Sequence, residues 1–200
     1  IALHGLSLFL GKQRGMLEPE VEQEQVRQAL LLPAAVSNVL KLTDKIDKLA
    51  EKYSASNNFL FLGRGLGYPV ALEGALKLKE VSYIHAEGYS AGEMKHGPIA
   101  LIDDQMPTLA ICTQGDVHDK MRSNIQQIRA RGGSVIALVS EGDSSMDSIA
   151  TDTLIVPNID PILSPIPAVV ALQLFSYGIA TRRGADVDQP RNLAKTVTVE

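Results

Sequence analysis

A chain of 200 residues with 45% apolar side chains suffices for one sizeable core and little more. The net charge of −4 is spread over interspersed acids and bases with no basic stripe, so neither nucleic acid nor an anionic membrane is expected as a partner. One cysteine, Cys112, excludes an internal disulfide framework and a CxxC metal site, and with no apolar run of about 18 residues to span a bilayer the chain reads as cytoplasmic.

Residues 1–16 read as the last part of an apolar helix. The opening IALHGLSLFL has neither the basic leader nor the cleavage site of a signal peptide, and a start on Ile1 suggests a piece of a longer protein. Residues 17–58, LEPEVEQEQVRQALLLPAAVSNVLKLTDKIDKLAEKYSASNN, place leucine and valine at helical spacing, with acids early and Pro33 as an interruption. That pattern predicts a connector of two or three helices. From Phe59 the pattern changes to short apolar runs without polar alternation: FLFLG, PTLAICT, SVIALVS and TLIVPN. Such runs suit strands buried on both faces. Between them YPVALEGALKLKEVSY, DKMRSNIQQIRARGG and PIPAVVALQLFSYGIATRRG have a helical period, the second stopped by Gly132 and Gly133. Alternating strands and helices predict an α/β fold, a doubly wound three-layer αβα sandwich on a parallel sheet. Ligands in such folds sit beyond the carboxyl ends of the strands.

The first loop at that edge is GRGLG, Gly63 to Gly67, leading into a helix. It is a turn or a phosphate-type loop but not a dinucleotide fingerprint, because GxGxxG would need glycine where Tyr68 stands. The helix after it carries Glu73, Lys77 and Glu80 at i, i+4 and i+7, with Leu72, Leu76 and Tyr83 beside them. Two readings stay open: a solvated charged stripe, or a carboxylate beside an ammonium in a cleft, which suits proton transfer next to a carbonyl. The segment IHAEGYSAGEMKHGPIAL holds two histidines, and Glu93 with His96 makes an i, i+3 pair. A di-metal carboxylate site would need a second such pair, so no metal is expected. His85 reads as a core or turn histidine, whereas HGP halts the helix and sets His96 at an exposed turn where it can exchange protons near neutral pH. The chain closes with DVDQPRNLAKTVTVE, a polar run with one lysine, Lys195, in a small-residue setting.

The blocks EGALKLKEVSYIHAEGYSAGEMKHGPIALID and DVDQPRNLAKTVTVE resemble the isomerase half of the glucosamine-6-phosphate synthase family, the glutamine:fructose-6-phosphate aminotransferases. The resemblance runs from about Phe59 to Glu200. It implies tandem sugar isomerase (SIS) domains, each a five-stranded parallel sheet flanked by helices. Residues 1–55 would be the end of the first SIS unit and a helical connector, and residues 56–200 the second unit with a catalytic tail. By the same resemblance Lys195 forms a Schiff base with open-chain fructose-6-phosphate, and Glu80 moves a proton between two sugar carbons. Lys77 is the charged neighbour of Glu80, and His96 opens the sugar ring from the other subunit of a homodimer. Ala194 and Glu73 complete the expected substrate site, and no cofactor is implied. The family's amino-terminal glutaminase domain and its serine- and threonine-rich phosphate loop are not found in these residues. A SIS domain that only senses a phosphosugar would have no use for Lys195 or the Glu80 and Lys77 pair; a phosphosugar isomerase that needs no ammonia is the nearer alternative.

Overall fold

The computed structural model describes residues 1–113 and 115–191. Each of the four apolar runs is a strand: β1 (Asn58–Gly63), β3 (Thr108–Cys112), β4 (Val135–Ser140) and β5 (Asp152–Val156). A fifth strand, β2 (His85–Ser90), pairs with the free side of β1, and all five run parallel in the order β2-β1-β3-β4-β5. Register is continuous across the centre, with Phe61 opposite Gly88 on one side and Leu109 on the other.

Period-2 geometry turns the unbroken apolar runs into two cores. Phe59, Phe61, Leu109, Ile111, Ile136 and Leu138 point to one face, where they meet Leu172 and Phe175. Leu60, Leu62, Ala110, Cys112, Ala137 and Val139 point to the other, against Ile125 and Ile128. On the first face lie α3 (Thr43–Tyr53), α4 (Gly67–Ser82) and α6 (Pro165–Arg182); α5 (His118–Arg129) covers the second. This is the expected three-layer sandwich on a five-stranded parallel sheet. Gly132, at φ +82, ends the chain's excursion after α5 as the sequence suggested.

Two sequence expectations fail for local reasons. Pro33 does not interrupt its helix: α2 runs unbroken over Pro19–Leu40 with Pro33 inside it. The proline removes one backbone donor, while Leu32, Ala35 and Val39 are buried on either side of it and hold the helix through that point. The connector is thus two helices, α2 and α3, after α1 (Ala2–Gln13), which buries none of its residues. The second failure is β2, which forms where a helix had been read into HGP. It is an edge strand in which only Ala86 is buried, so HAEGYS has no apolar run to announce it.

Gly88 explains how this polar edge strand is held. A Cβ there would lie 2.8 Å from the Leu72 Cα and 3.0 Å from the Ala71 carbonyl oxygen, so α4 approaches β2 at backbone contact. Gly88→Ala should destabilise the fold by about 1–3 kcal/mol, the usual cost of overpacking, measured by denaturant unfolding. Gly5→Ala, where a Cβ meets nothing within 4 Å, should be neutral or slightly stabilising, because alanine is the better helix former.

Candidate active site

The helical spacing of α4 puts Glu73, Lys77 and Glu80 together, and the tightest pair is i, i+3. Lys77 Nζ donates to Glu80 Oε2 at 2.7 Å and stands 3.8 Å from Glu73 Oε1. All three side chains are partly exposed, and Leu72 and Leu76 flank them 42% and 40% exposed, which makes this face more apolar than a solvated stripe needs. The hydrogen bond to Glu80 raises the Lys77 pKa; partial burial opposes the rise, and the charges of Glu80 and Glu73 add to it. Lys77 is therefore held as a cation and makes a poor amine nucleophile. A cavity of about 280 Å³ adjoins it, lined by Lys77, Gln173, Ser176, Tyr177, Val187 and Asp188. Ser176 Oγ is buried there without a hydrogen-bond partner among the described residues.

This pair does not lie at the carboxyl edge of the sheet, where sequence reasoning sought the chemistry. Helix α4 starts at that edge, and Glu80 comes near its far end, roughly 20 Å along the axis at 1.5 Å per residue. The carboxyl edge has its own cavity of about 370 Å³ between the ends of β1 and β3, lined by Gly65, Gly67, Thr113, Asp116 and Ser164 among others. That is the switch point of a sheet with this strand order. The Gly63–Gly67 loop is held there by Arg64, whose Nε donates to Asn124 Oδ1 at 3.1 Å; Asn124 Nδ2 in turn donates to the Ala91 carbonyl at 2.9 Å.

His96 belongs to this edge. After β2 the chain returns through Ala91, whose N–H donates to Gly63 O at 2.9 Å, into one 3-10 turn, Met94–His96. Gly97 at φ +150 and Pro98 then start another. The exposed turn expected from HGP is present, although the helix it was to halt is not. The His96 side chain is 75% exposed, and its Nε2 lies 4.0 Å from Glu93 Oε2. In one chain, then, Glu73, Lys77 and Glu80 come together and His96 does not join them. His85, at the start of β2, is exposed, with Nε2 3.5 Å from Glu87 Oε1. Lys195 and Ala194 lie outside the described residues. Among the described residues no group of three or more His, Cys, Asp or Glu side chains is placed to hold a metal ion, and no helix is long and apolar enough to cross a membrane. Cys112 is fully buried in β3, and burial pushes its thiol far above the ordinary value, so it is no nucleophile.

Two polar groups escaped the sequence reading because their partners are distant in the chain. One is Arg64 with Asn124. The other is His118, at the start of α5, whose Nε2 lies 2.7 Å from Asp143 Oδ2 and 3.4 Å from Ser145 Oγ in the loop after β4. Ser145 and Asp143 approach the same ring nitrogen, so the trio is a loop-to-helix tie and not a nucleophile relay.

A five-stranded parallel sheet covered by helices on both faces is the frame of an SIS domain. The chain belongs to the SIS domain family, which matches residues 52–182. The glutamine–fructose-6-phosphate aminotransferase (isomerizing) of Thermus thermophilus is 52% identical to it over 200 residues, all of this chain and 33% of that protein. The enzyme of the same name from Bacteroides thetaiotaomicron is 51% identical over 195 residues, 98% of this chain and 32% of that protein. Among solved structures, the C-terminal domain of glucosamine-fructose-6-phosphate aminotransferase from Francisella tularensis superposes with a TM-score of 0.85 at 38% identity, covering 91% of this chain and 51% of that one. The chain spans about a third of the length of the curated relatives it matches, and the part matched is their C-terminal isomerase domain.

The His118–Asp143 tie can be tested apart from any activity. Burial would raise the Asp143 pKa, but hydrogen bonds from the Ser145 side chain and backbone and from His118 outweigh it and hold the carboxyl below its ordinary value. A depressed folded-state pKa contributes stability that is present above the unfolded value of about 3.9 and is lost as pH falls through the folded value. Asp143→Asn should therefore cost about 1–2 kcal/mol at pH 7, measured by urea unfolding, and the gap to the parent should narrow as pH falls below about 4.

Proposed function

We propose that this chain is the isomerase part of an enzyme that makes glucosamine-6-phosphate from fructose-6-phosphate and ammonia drawn from glutamine. The observation that carries this reading is the 2.7 Å Lys77–Glu80 pair on α4, in a chain 52% identical along its whole length to the Thermus thermophilus aminotransferase. Residues 1–55 are then the end of a preceding SIS unit with its connector, and the exposed apolar side chains of α1, Leu3, Leu6 and Phe9, suit a helix that packs on chain outside these 200 residues.

Lys195 is the nucleophile, as the family resemblance implies; Lys77 is unsuited, since its hydrogen bond to Glu80 holds it as a cation and a Schiff base needs a neutral amine. Its Nζ adds to the C2 carbonyl of open-chain fructose-6-phosphate and water leaves. Ammonia then replaces the lysine at C2, giving a sugar imine. Glu80 takes a proton from C1 and returns one to C2, which converts the imine into the 2-amino aldose. The sum is one ammonia in and one water out. Lys77 is the charged neighbour of Glu80, Glu73 adds negative charge beside that ammonium, and Ala194 belongs to the same substrate site.

The ring-opening group is His96 of a second subunit. Within one chain His96 follows β2 at the carboxyl edge, whereas Glu80 lies near the far end of α4, roughly 20 Å along the helix from its start at that edge, and this separation argues against one chain bringing both to one sugar. An exposed histidine on a closed two-fold dimer reaches across twice, once into each pocket.

Borohydride added to the complete protein with fructose-6-phosphate should fix the sugar's mass on the peptide containing NLAK. In Glu80→Gln that trapping should survive while glucosamine-6-phosphate formation falls by about a hundredfold or more, the scale of a positioned general base. Label on Lys77, or none, refutes the Schiff-base assignment, and near-normal turnover in the variant leaves Glu80 as a surface charge.

Mixing His96→Ala with Lys195→Ala tests the shared site. Each mixed dimer has one intact pocket, so up to roughly a quarter of parental activity should return with independent pockets and random pairing. No return despite measured subunit exchange places His96 within its own chain's site or outside catalysis.

A further inference from the structure

Tyr83 is the only non-glycine residue with positive φ among the described residues, at φ 61 and ψ 16. It stands just past the end of α4, its N–H donating to the Lys79 carbonyl at 3.1 Å. Helices commonly close with glycine or asparagine in this left-handed conformation, because a larger side chain is strained there. An aromatic residue in that place implies that its side chain does something the smaller residues could not.

What it touches is Arg191. The Arg191 backbone N–H donates to the Tyr83 hydroxyl oxygen at 2.9 Å, and the Arg191 guanidinium lies over the Tyr83 ring, 4.0 Å from its centroid. The path to that point is built stepwise. Gly184, at φ +70, ends α6, and the Ala185 N–H returns to the Ala180 carbonyl at 3.0 Å. Asp186 Oδ1 then accepts the N–H groups of Asp188 and Gln189, both at 3.0 Å, which turns the chain. Val187 and Asp188 pass beside Lys77 in the small cavity described above. Lys195 follows four residues after Arg191, and four residues span at most about 14 Å in any conformation.

We infer that Tyr83 is a positioning residue: its ring and hydroxyl clamp Arg191 to the end of α4, so that the lysine four residues on is tethered to the helix that carries Glu80 and Lys77. The inference rests on the reading of Lys195 and Glu80 given under Proposed function. One helix would then set the general base directly and the nucleophile through the residue that caps it. The strained backbone at Tyr83 is retained for that second task.

The test uses the complete protein with Tyr83→Asn and Tyr83→Phe. Asparagine tolerates the left-handed conformation better than tyrosine, so Tyr83→Asn should unfold at the parental denaturant midpoint or above it while both contacts to Arg191 are gone. Hydrogen exchange of the segment 184–200, read by mass spectrometry, should speed up about tenfold or more in Tyr83→Asn and less in Tyr83→Phe, which keeps the ring. With fructose-6-phosphate, kcat should fall about tenfold to a hundredfold, the scale set by a misplaced reacting group, with KM within about twofold, since a positioning residue acts on the reacting step and not on uniform binding. Unchanged exchange in Tyr83→Asn overturns the clamp, and faster exchange with unchanged kcat overturns its positioning role. If the parent never traps sugar on Lys195, the reading of that lysine fails by itself, and the exchange measurement still decides whether Tyr83 holds the tail.

Discussion

Helix α4 lies on the sheet at backbone contact, because the positions where side chains would intervene are glycines. A Cβ on Gly74 would come within 2.7 Å of Leu172 and 2.9 Å of the Phe61 ring, and one on Gly88 would strike the α4 backbone from the strand side. The helix is thus wedged between α6, β1 and the edge strand β2. Its buried stripe of Val70, Ala71, Ala75 and Leu78 allows one rotation about its axis. That rotation decides which way Glu73, Lys77 and Glu80 project. The orientation of the charged face therefore depends on this close packing.

With α4 held, the electrostatics follow. Lys77 and Glu80 are near enough to share a proton donor–acceptor bond and exposed enough to remain charged, an arrangement that full burial would make costly and full exposure would weaken. Charged groups are held most precisely on rigid elements whose neighbours fix their rotamers. Here the rigid element spans the domain from one edge of the sheet to the other. Its two ends serve different cavities, with the glycine loop and its 370 Å³ cavity at the start and the charged pair near the finish.

Much of the fold was legible along the chain. FLFLG, TLAIC and VIALVS are apolar at every position because the sheet is covered on both faces, so three central strands were visible without any tertiary knowledge. HAEGYS was not, because an edge strand leaves most of its residues half-covered and so carries no hydrophobic run. Pro33 misled in the opposite direction: local chemistry disfavours it inside a helix, but burial on both sides outweighs one lost hydrogen bond. Of the site, the i, i+4, i+7 charges and the HGP turn were readable, since helical periodicity and turn chemistry are local.

The sequence by itself determined the layer architecture, the charged face of α4 and the exposure of His96, because each depends on residues within a few positions of one another. Only the tertiary structure decided which ends of the elements come together. It set Glu80 and His96 at opposite ends of α4 and β2, tied Arg64 to Asn124 and His118 to Asp143, and brought Arg191 onto the ring of Tyr83 across more than half the chain. Those pairings join residues far apart in sequence, and no local pattern encodes them. Their energy comes from desolvated contacts that exist only once the sheet has assembled and the helices have docked on it.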